Sequence, residues 1–456
     1  MRSLSFAALL LLSACAPAPQ AEVTMSRPAE VALDGPALPA MQVFAPAGGQ
    51  SVQRANTEIA ADFLDLEFRM ESGRALPVLT RFEGPITVRL MGEVPATAPN
   101  DLTKVISRFR SEAGLDVSPT TAADASITIE FVPSATLRRT VPSATCFVVP
   151  NVTSLAEYRA KRGTAAVDWA NLTTRNRAAI FVPSDSTPQA VRDCLHEELA
   201  QAMGPLNDLF RLQDSVFNDD NFNTVLTGFD MLILRAHYSP ELASGMNEAQ
   251  VAARLPALLA RLNPQGEGLA GQPKQLSPRS WIDAVQVAVG GPSEAAQRAG
   301  ADRMLAIARA QGWTDNRLGF SHFAVGRANV KSNLPLAIQH FSQAGEIFRS
   351  LPGGAMHAAH VDMQLGALSL AAGEYGKAIA FADRAIPAAR QGENAALLAT
   401  LLMVRSEALS AAGRPVEARQ ARLDSLGWAR YGFGSDARIR AHLSEIAALA
   451  QRGQRG

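Results

Sequence analysis

Residues Cys194 to Asp208 read Cys-Leu-His-Glu-Glu-Leu-Ala-Gln-Ala-Met-Gly-Pro-Leu-Asn-Asp and place two adjacent carboxylates inside an apolar helix. At about 100° per residue, Glu197, Glu198 and Gln201 share one sector. Val191, Leu195, Leu199 and Ala202 form the adjoining apolar stripe. His196 points elsewhere. Burying that stripe brings Glu198 to the edge of the core, where desolvation and the charge on Glu197 both raise its pKa.

The stretch resembles the zinc helix of metzincin peptidases, whose pattern is H-E-x-x-H-x-x-G-x-x-H. A register starting at His196 matches only the first dipeptide, because Ala200 and Met203 fall on the second His and the Gly. Starting at Glu197 instead puts Glu197, Glu198, Gln201, Gly204 and Asn207 on the His, Glu, His, Gly and His positions. The base and the turn glycine are then kept and the three metal ligands exchanged. If the domain is active, the resemblance makes Glu198 the catalytic residue, a general base. Glu197, Gln201 and Asn207, with Asp208, stand where a metal would be held. Amide oxygens serve Zn²⁺ poorly, and of seven His only His196 and His237 precede residue 300. An oxygen-rich set of this kind would suit Ca²⁺ better, and no cofactor is expected. Met231 is a candidate for the Met turn beneath such a site, or a core residue of an apolar helix.

The first fifteen residues combine one cation, a short apolar run and small residues, the pattern of an export signal. Leu12-Ser13-Ala14-Cys15 resembles the bacterial lipoprotein box, which implies lipidation of Cys15 and anchoring in the envelope, facing the periplasm. Ala16 after the lipid Cys is compatible with the outer membrane. Cys146 and Cys194 are then the two remaining thiols in an oxidising compartment. They are expected to form a disulfide, with free buried thiols or metal ligation as alternatives. Lys plus Arg equals Asp plus Glu at 43 each, which argues against nucleic acid as a partner. A 47% hydrophobic content allows sizeable cores.

Residues 1–14 are read as the signal and 15–52, rich in Pro and Ala, as a tether. From residue 53 the pattern is mixed. A helix over Asn56 to Met70 precedes a strand at Ile86 to Leu90, and a helix capped by Asp101 follows. Strands are expected at Ile127–Phe131, Cys146–Val149 and Ala178–Val182, before Thr187 or Ser184 opens the Glu197/Glu198 helix. That order resembles the zincin core. The E-E-x-x-Q-x-x-G and N-D elements, in Glu197, Glu198, Gln201, Gly204, Asn207 and Asp208, also resemble the bacterial exported domain of unknown function 2927, over roughly residues 50 to 260. That family supplies no reaction.

After a helical linker at 263–300, residues 301–456 repeat. The turns at Val330–Ala337, Ala371–Ala378 and Ala411–Ala418 align, and Ala337, Phe341, Ala344, Ala378, Ala382 and Ala385 keep tetratricopeptide-like spacing. The expected fold is therefore an α+β zincin-like N-terminal domain, residues 53–262, followed by an all-α tetratricopeptide-like helical-repeat domain. The alternative for the second part is a plain helical bundle capping the first. Repeats of this type offer a concave surface to a protein or peptide. Two functions fit: a lipid-anchored binding or scaffold protein with a degenerate peptidase-like domain, or a peptidase-like hydrolase using Glu198 with an atypical metal or none.

Overall fold

The computed structural model describes residues 38–45, 51–142, 144–271 and 273–453. The signal, Cys15 and most of the tether lie outside the described residues. The chain forms a mixed α+β region followed by an all-helical one.

In the first region, α1 (Asn56–Glu67) buries Ile59, Phe63 and Leu66 at helical spacing. The β1 strand (Ile86–Gly92) turns Ile86 and Val88 to the core. Helix α2 (Ala98–Glu112) buries Leu102, Val105, Ile106 and Phe109 on one face. It begins earlier than the expected Asp101 cap, because Pro99 already satisfies the first turn, where a missing N–H costs nothing. Asp101 instead lies buried in that turn and accepts a hydrogen bond from Tyr431.

Four further strands follow: β2 (Val117–Pro119), β3 (Ile127–Val132), β4 (Phe147–Pro150) and β5 (Ala178–Pro183), with α3 (Ser134–Thr140) and α4 (Leu155–Lys161) among them. The sheet order is β2-β1-β3-β5-β4. The first four are parallel, whereas β4 runs antiparallel to β5 and forms one edge. One face, with Ile127, Ile129, Ile180 and Val182, joins the main core with α1, α2 and α5 (Pro188–Met203). Ala179 and Phe181 face a smaller core with Leu137 and Leu155. Short β2 was not expected from the sequence, since three residues show too little alternation to read.

Cys146 and Cys194 are disulfide-bonded, tying the start of β4 to the middle of α5. Next come α6 (Gly228–His237), α7 (Glu248–Ala252) and α8 (Leu255–Leu262). Met231 lies within α6, 1% exposed, so it is a core residue of a helix and not of a turn.

The helical region packs as consecutive hairpins: α9 (Arg279–Gly290) with α10 (Glu294–Ala310), α11 (Asn316–Asn329) with α12 (Leu334–Ser350), α13 (Ala355–Ala371) with α14 (Tyr375–Gln391), and α15 (Ala395–Ala411) with α16 (Pro415–Phe433). The last helix, α17 (Asp436–Gly453), lies against α13 and α15. These two helices are buried nearly all round, which explains their apolar composition on every face.

The two regions share a core. Phe210 and Phe222, from the loop after α5, belong to the helical cluster, where Phe222 meets Phe320, Phe323 and Phe348 edge-on. Residues 38–45, placed in the tether by the sequence, also dock: Phe44 stacks on Trp428 at 4.3 Å, and Gln42 N–H donates to Gly427 O at 3.0 Å. Among the described residues no helix is long and apolar enough to cross a membrane.

Candidate functional site

Helix α5 is fixed at both ends. Thr187 caps its start by accepting from Ala190 N–H, with Pro188 in the first turn. At its end the Arg175 guanidinium donates to the carbonyls of Gln201, Ala202 and Gly204. Those are the oxygens a helix leaves unbonded, and the cation also opposes the negative end of the helix dipole. Burial pulls Arg175 down to about 10, and its guanidinium lies 4.8 Å from the Trp169 ring centre. Gly204 packs beside the His237 ring, which a Cβ there would meet at 3.4 Å, an ordinary contact.

The loop beyond is pinned to α1. Asn207 Nδ2 donates to Asp65 O at 2.8 Å, and Arg211 reaches Asp62 and Asp65, each at 2.7 Å. His357 Nε2 of α13 holds Asp220 Oδ2 at 2.8 Å from the other side. The loop carrying the end of the motif is therefore clamped between α1 and the helical region.

Along α5, His196 faces away from Glu197 and Glu198. Its Nδ1 accepts from Leu226 N–H, and burial with Arg192 and Arg108 nearby holds the ring well below its usual pKa. Glu197 is half-buried, whereas Glu198 and Gln201 are buried. Burial first, then Glu197 and Glu71, pushes Glu198 well above the usual carboxylate range. Glu197 is raised to about 8 by burial and by Asp219, Glu71 and Asp193. Asp208 is likewise raised, by burial and then by Asp219, Glu71, Glu197 and Glu198. Glu71 and Asp219, nearer the surface, are raised as well, Glu71 to about 7 by burial and by Asp219, and Asp219 to about 6 by burial and by Asp220.

The sequence-derived set is only partly assembled. Glu197, Glu198 and Asp208 are near enough for Asp208 to feel the charges of both, and two residues the motif did not indicate, Glu71 and Asp219, add theirs. Asn207 spends its amide N–H on Asp65. Glu198 Oε2 and Asp208 Oδ1 are buried with no hydrogen-bond partner. Among the described residues no three His, Cys, Asp or Glu side chains are grouped as a metal's ligands would be. With neutral amides at two of the three ligand positions as well, the residues present do not fit the zinc ion of a metzincin. Glu71 carries no local motif, and Arg175 acts through backbone atoms, so neither left a pattern to find.

An open groove of about 630 Å³ runs along β4, lined among others by Met70, Phe147, Val148, Tyr158, Asp168 and Trp169. Met70, one of its lining residues, immediately precedes Glu71 in the chain. No strand among the described residues pairs with the outer edge of β4. A smaller enclosed pocket on the far side of α5 is lined by Lys104, Arg108, Arg192 and His196. No curated protein matches the chain. Residues 56–257 match the family described as protein of unknown function DUF2927, which spans the sheet, the motif helix and the clamped loop.

Proposed function

We propose that this protein is a lipid-anchored component of the bacterial cell envelope, held through Cys15 in the outer membrane and facing the periplasm. Its zincin-like domain holds an extended peptide instead of cutting it. The observation that carries this reading is the free edge of β4 beside an open groove lined by Phe147, Val148, Tyr158 and Trp169. An edge strand offers unpaired N–H and C=O groups, and a peptide added there gains main-chain hydrogen bonds.

The alternative is a hydrolase with Glu198 as general base. Burial and the neighbouring carboxylates raise the Glu198 pKa, so a smaller fraction is ionised and able to accept a proton. The tetratricopeptide-like helices act as a brace for the motif loop and as a second protein-binding surface. Because α17 and the loop after α5 lie against the inner helices, a partner would meet the outer ones, where Val416 is 82% and Leu423 51% exposed.

Incubation with a mixture of short peptides, followed by mass spectrometry and amide hydrogen exchange, tests the reading. Intact peptides and new protection at residues 147–150 are expected. Turnover abolished by Glu198→Gln would replace binding by hydrolysis, and unchanged exchange in β4 would remove the peptide. Release of a Cys15→Ser variant from the membrane fraction is the test for the anchor.

A further inference from the structure

Two hydrogen bonds fix which main-chain groups β4 leaves free. Asn151 N–H, just past the strand, donates to Arg177 O at 3.0 Å, and Ala178 N–H turns the other way, to Ser126 O at 2.9 Å. Successive residues of a strand point their N–H and C=O in opposite directions. Phe147 and Val149, opposite Phe181 and Ala179, therefore bond to β5, whereas Val148 and Pro150 turn outward. Pro150 is buried and has no N–H to offer. Val148 is half-buried, and within β4 it alone presents both a donor and an acceptor at the open edge. Among the described residues no other main-chain group bonds to either.

The side chains alternate as well. Val148 and Met70 pack against the main core, to which Trp169 belongs. Phe147, Tyr158 and Val167 pack against the smaller core on the other face of the sheet, with the Phe147 and Tyr158 rings 5.6 Å apart. All six line the groove, so each side of the edge carries an apolar patch. Of the described lining residues only Asp168 is charged, and its carboxylate is paired with Arg74. A strand residue paired with Val148 would set its side chain on the Val148 side, beside Met70 and Trp169. The next residue, opposite Phe147, would set its own on the other side, over Tyr158 and Val167.

We propose that the groove recognises an extended peptide by two adjacent uncharged apolar residues, one exchanging both main-chain hydrogen bonds with Val148 and its neighbour lying opposite Phe147. This inference rests on the peptide reading above and adds its specificity.

Calorimetric titration of the mature protein with end-capped pentapeptides tests it. The probes are Ala-Leu-Leu-Ala-Ala, its isomer Ala-Leu-Ala-Leu-Ala, and the same frame with an adjacent pair of glutamates or of lysines. The isomers share a composition, but only the first puts one leucine on each side of the edge. It should bind at least about tenfold more tightly than the other three, the factor expected of one more buried leucine. Val167→Asp should remove that advantage. N-methylation gives a check that needs no protein variant: on one leucine it should abolish binding, by removing the N–H that Val148 O accepts, and on the other it should be tolerated. Equal affinity of the isomers, tighter binding of a charged peptide, or tolerance of both N-methyl groups overturns the proposal and leaves a peptide site standing. Binding of no peptide, with unchanged amide exchange at Val148, removes the peptide reading too. Slow exchange at Val148 in the free protein also overturns the proposal: the occupant is then a second copy if protection grows with protein concentration, and another part of this chain if it does not.

Discussion

His357 Nε2 lies 2.8 Å from Asp220 Oδ2, with the two side chains 0% and 2% exposed. This pair joins α13 to the loop that follows the motif helix, more than a hundred residues away in sequence. Phe222, two residues further on, packs its ring 4.6 Å from that of His357. The helical region thus sets the shape of the site.

Removing Asp220 would leave a buried imidazole without its partner, and its Nδ1 already lacks one. Asp220→Ala should therefore cost about 3 kcal/mol of stability, in the range measured for breaking a buried pair. Urea denaturation reads this loss, and hydrogen exchange should quicken first over residues 205–225. An unchanged midpoint would show that the pair does not hold the loop.

The Cys146–Cys194 bridge spans 48 residues and joins β4 to α5. In the chain-entropy account, closing such a loop contributes roughly 4 kcal/mol. Reduction should lower the urea midpoint accordingly. Equal midpoints with and without reductant would mean that packing alone holds the strand against the helix.

Arg175 is the counterpart at the end of α5. Arg175→Met strands the carbonyls of Gln201, Ala202 and Gly204 in the core, at a cost of about 3 kcal/mol or more. Arg175→Lys should recover part of it, because an ammonium is a compact charge without the planar fork. Full stability of the Met variant, measured by thermal unfolding, would contradict the capping role.

The acids also set a pH dependence whose sign is fixed. Glu197, Glu198 and Asp208 hold protons more tightly folded than unfolded, through burial and through one another, with Asp193, Glu71 and Asp219 adding negative charge. Their contribution to stability is complete below the ordinary carboxylate pKa and is lost as pH rises, through about 8 for Glu197. The thermal midpoint should fall from pH 5 to pH 8.5, and less steeply in Glu198→Gln. A midpoint that climbs across this range in the native protein would refute the arrangement.

Much of the fold was legible because its signals are local. The apolar runs at Ile127 and Ala178 became parallel strands, the Thr187 cap opened α5, and the turns around Gly373 and Gly413, both in the left-handed region, join the two helices of a pair. The register that set Glu197, Glu198 and Gln201 together and turned His196 away followed from helix geometry alone. What escaped was non-local. Nothing near Glu71 or Asp219 in sequence says that they approach α5, and Phe210 and Phe222 read as ordinary loop aromatics until they enter the core of the other region. Asp101 looked like a cap because acidic residues favour helix starts, but Tyr431 decides its place.

The account turns on the state of Glu198, buried, short of a donor and surrounded by acids. Infrared difference spectroscopy of the native protein against Glu198→Gln at pH 7 observes it directly. A protonated carboxylic acid band that vanishes in the variant is the result expected of a carboxyl whose pKa is raised by burial and by Glu197 and Glu71. An ionised carboxylate band at Glu198, titrating in the ordinary range, would contradict it and return the residue to the role of a base.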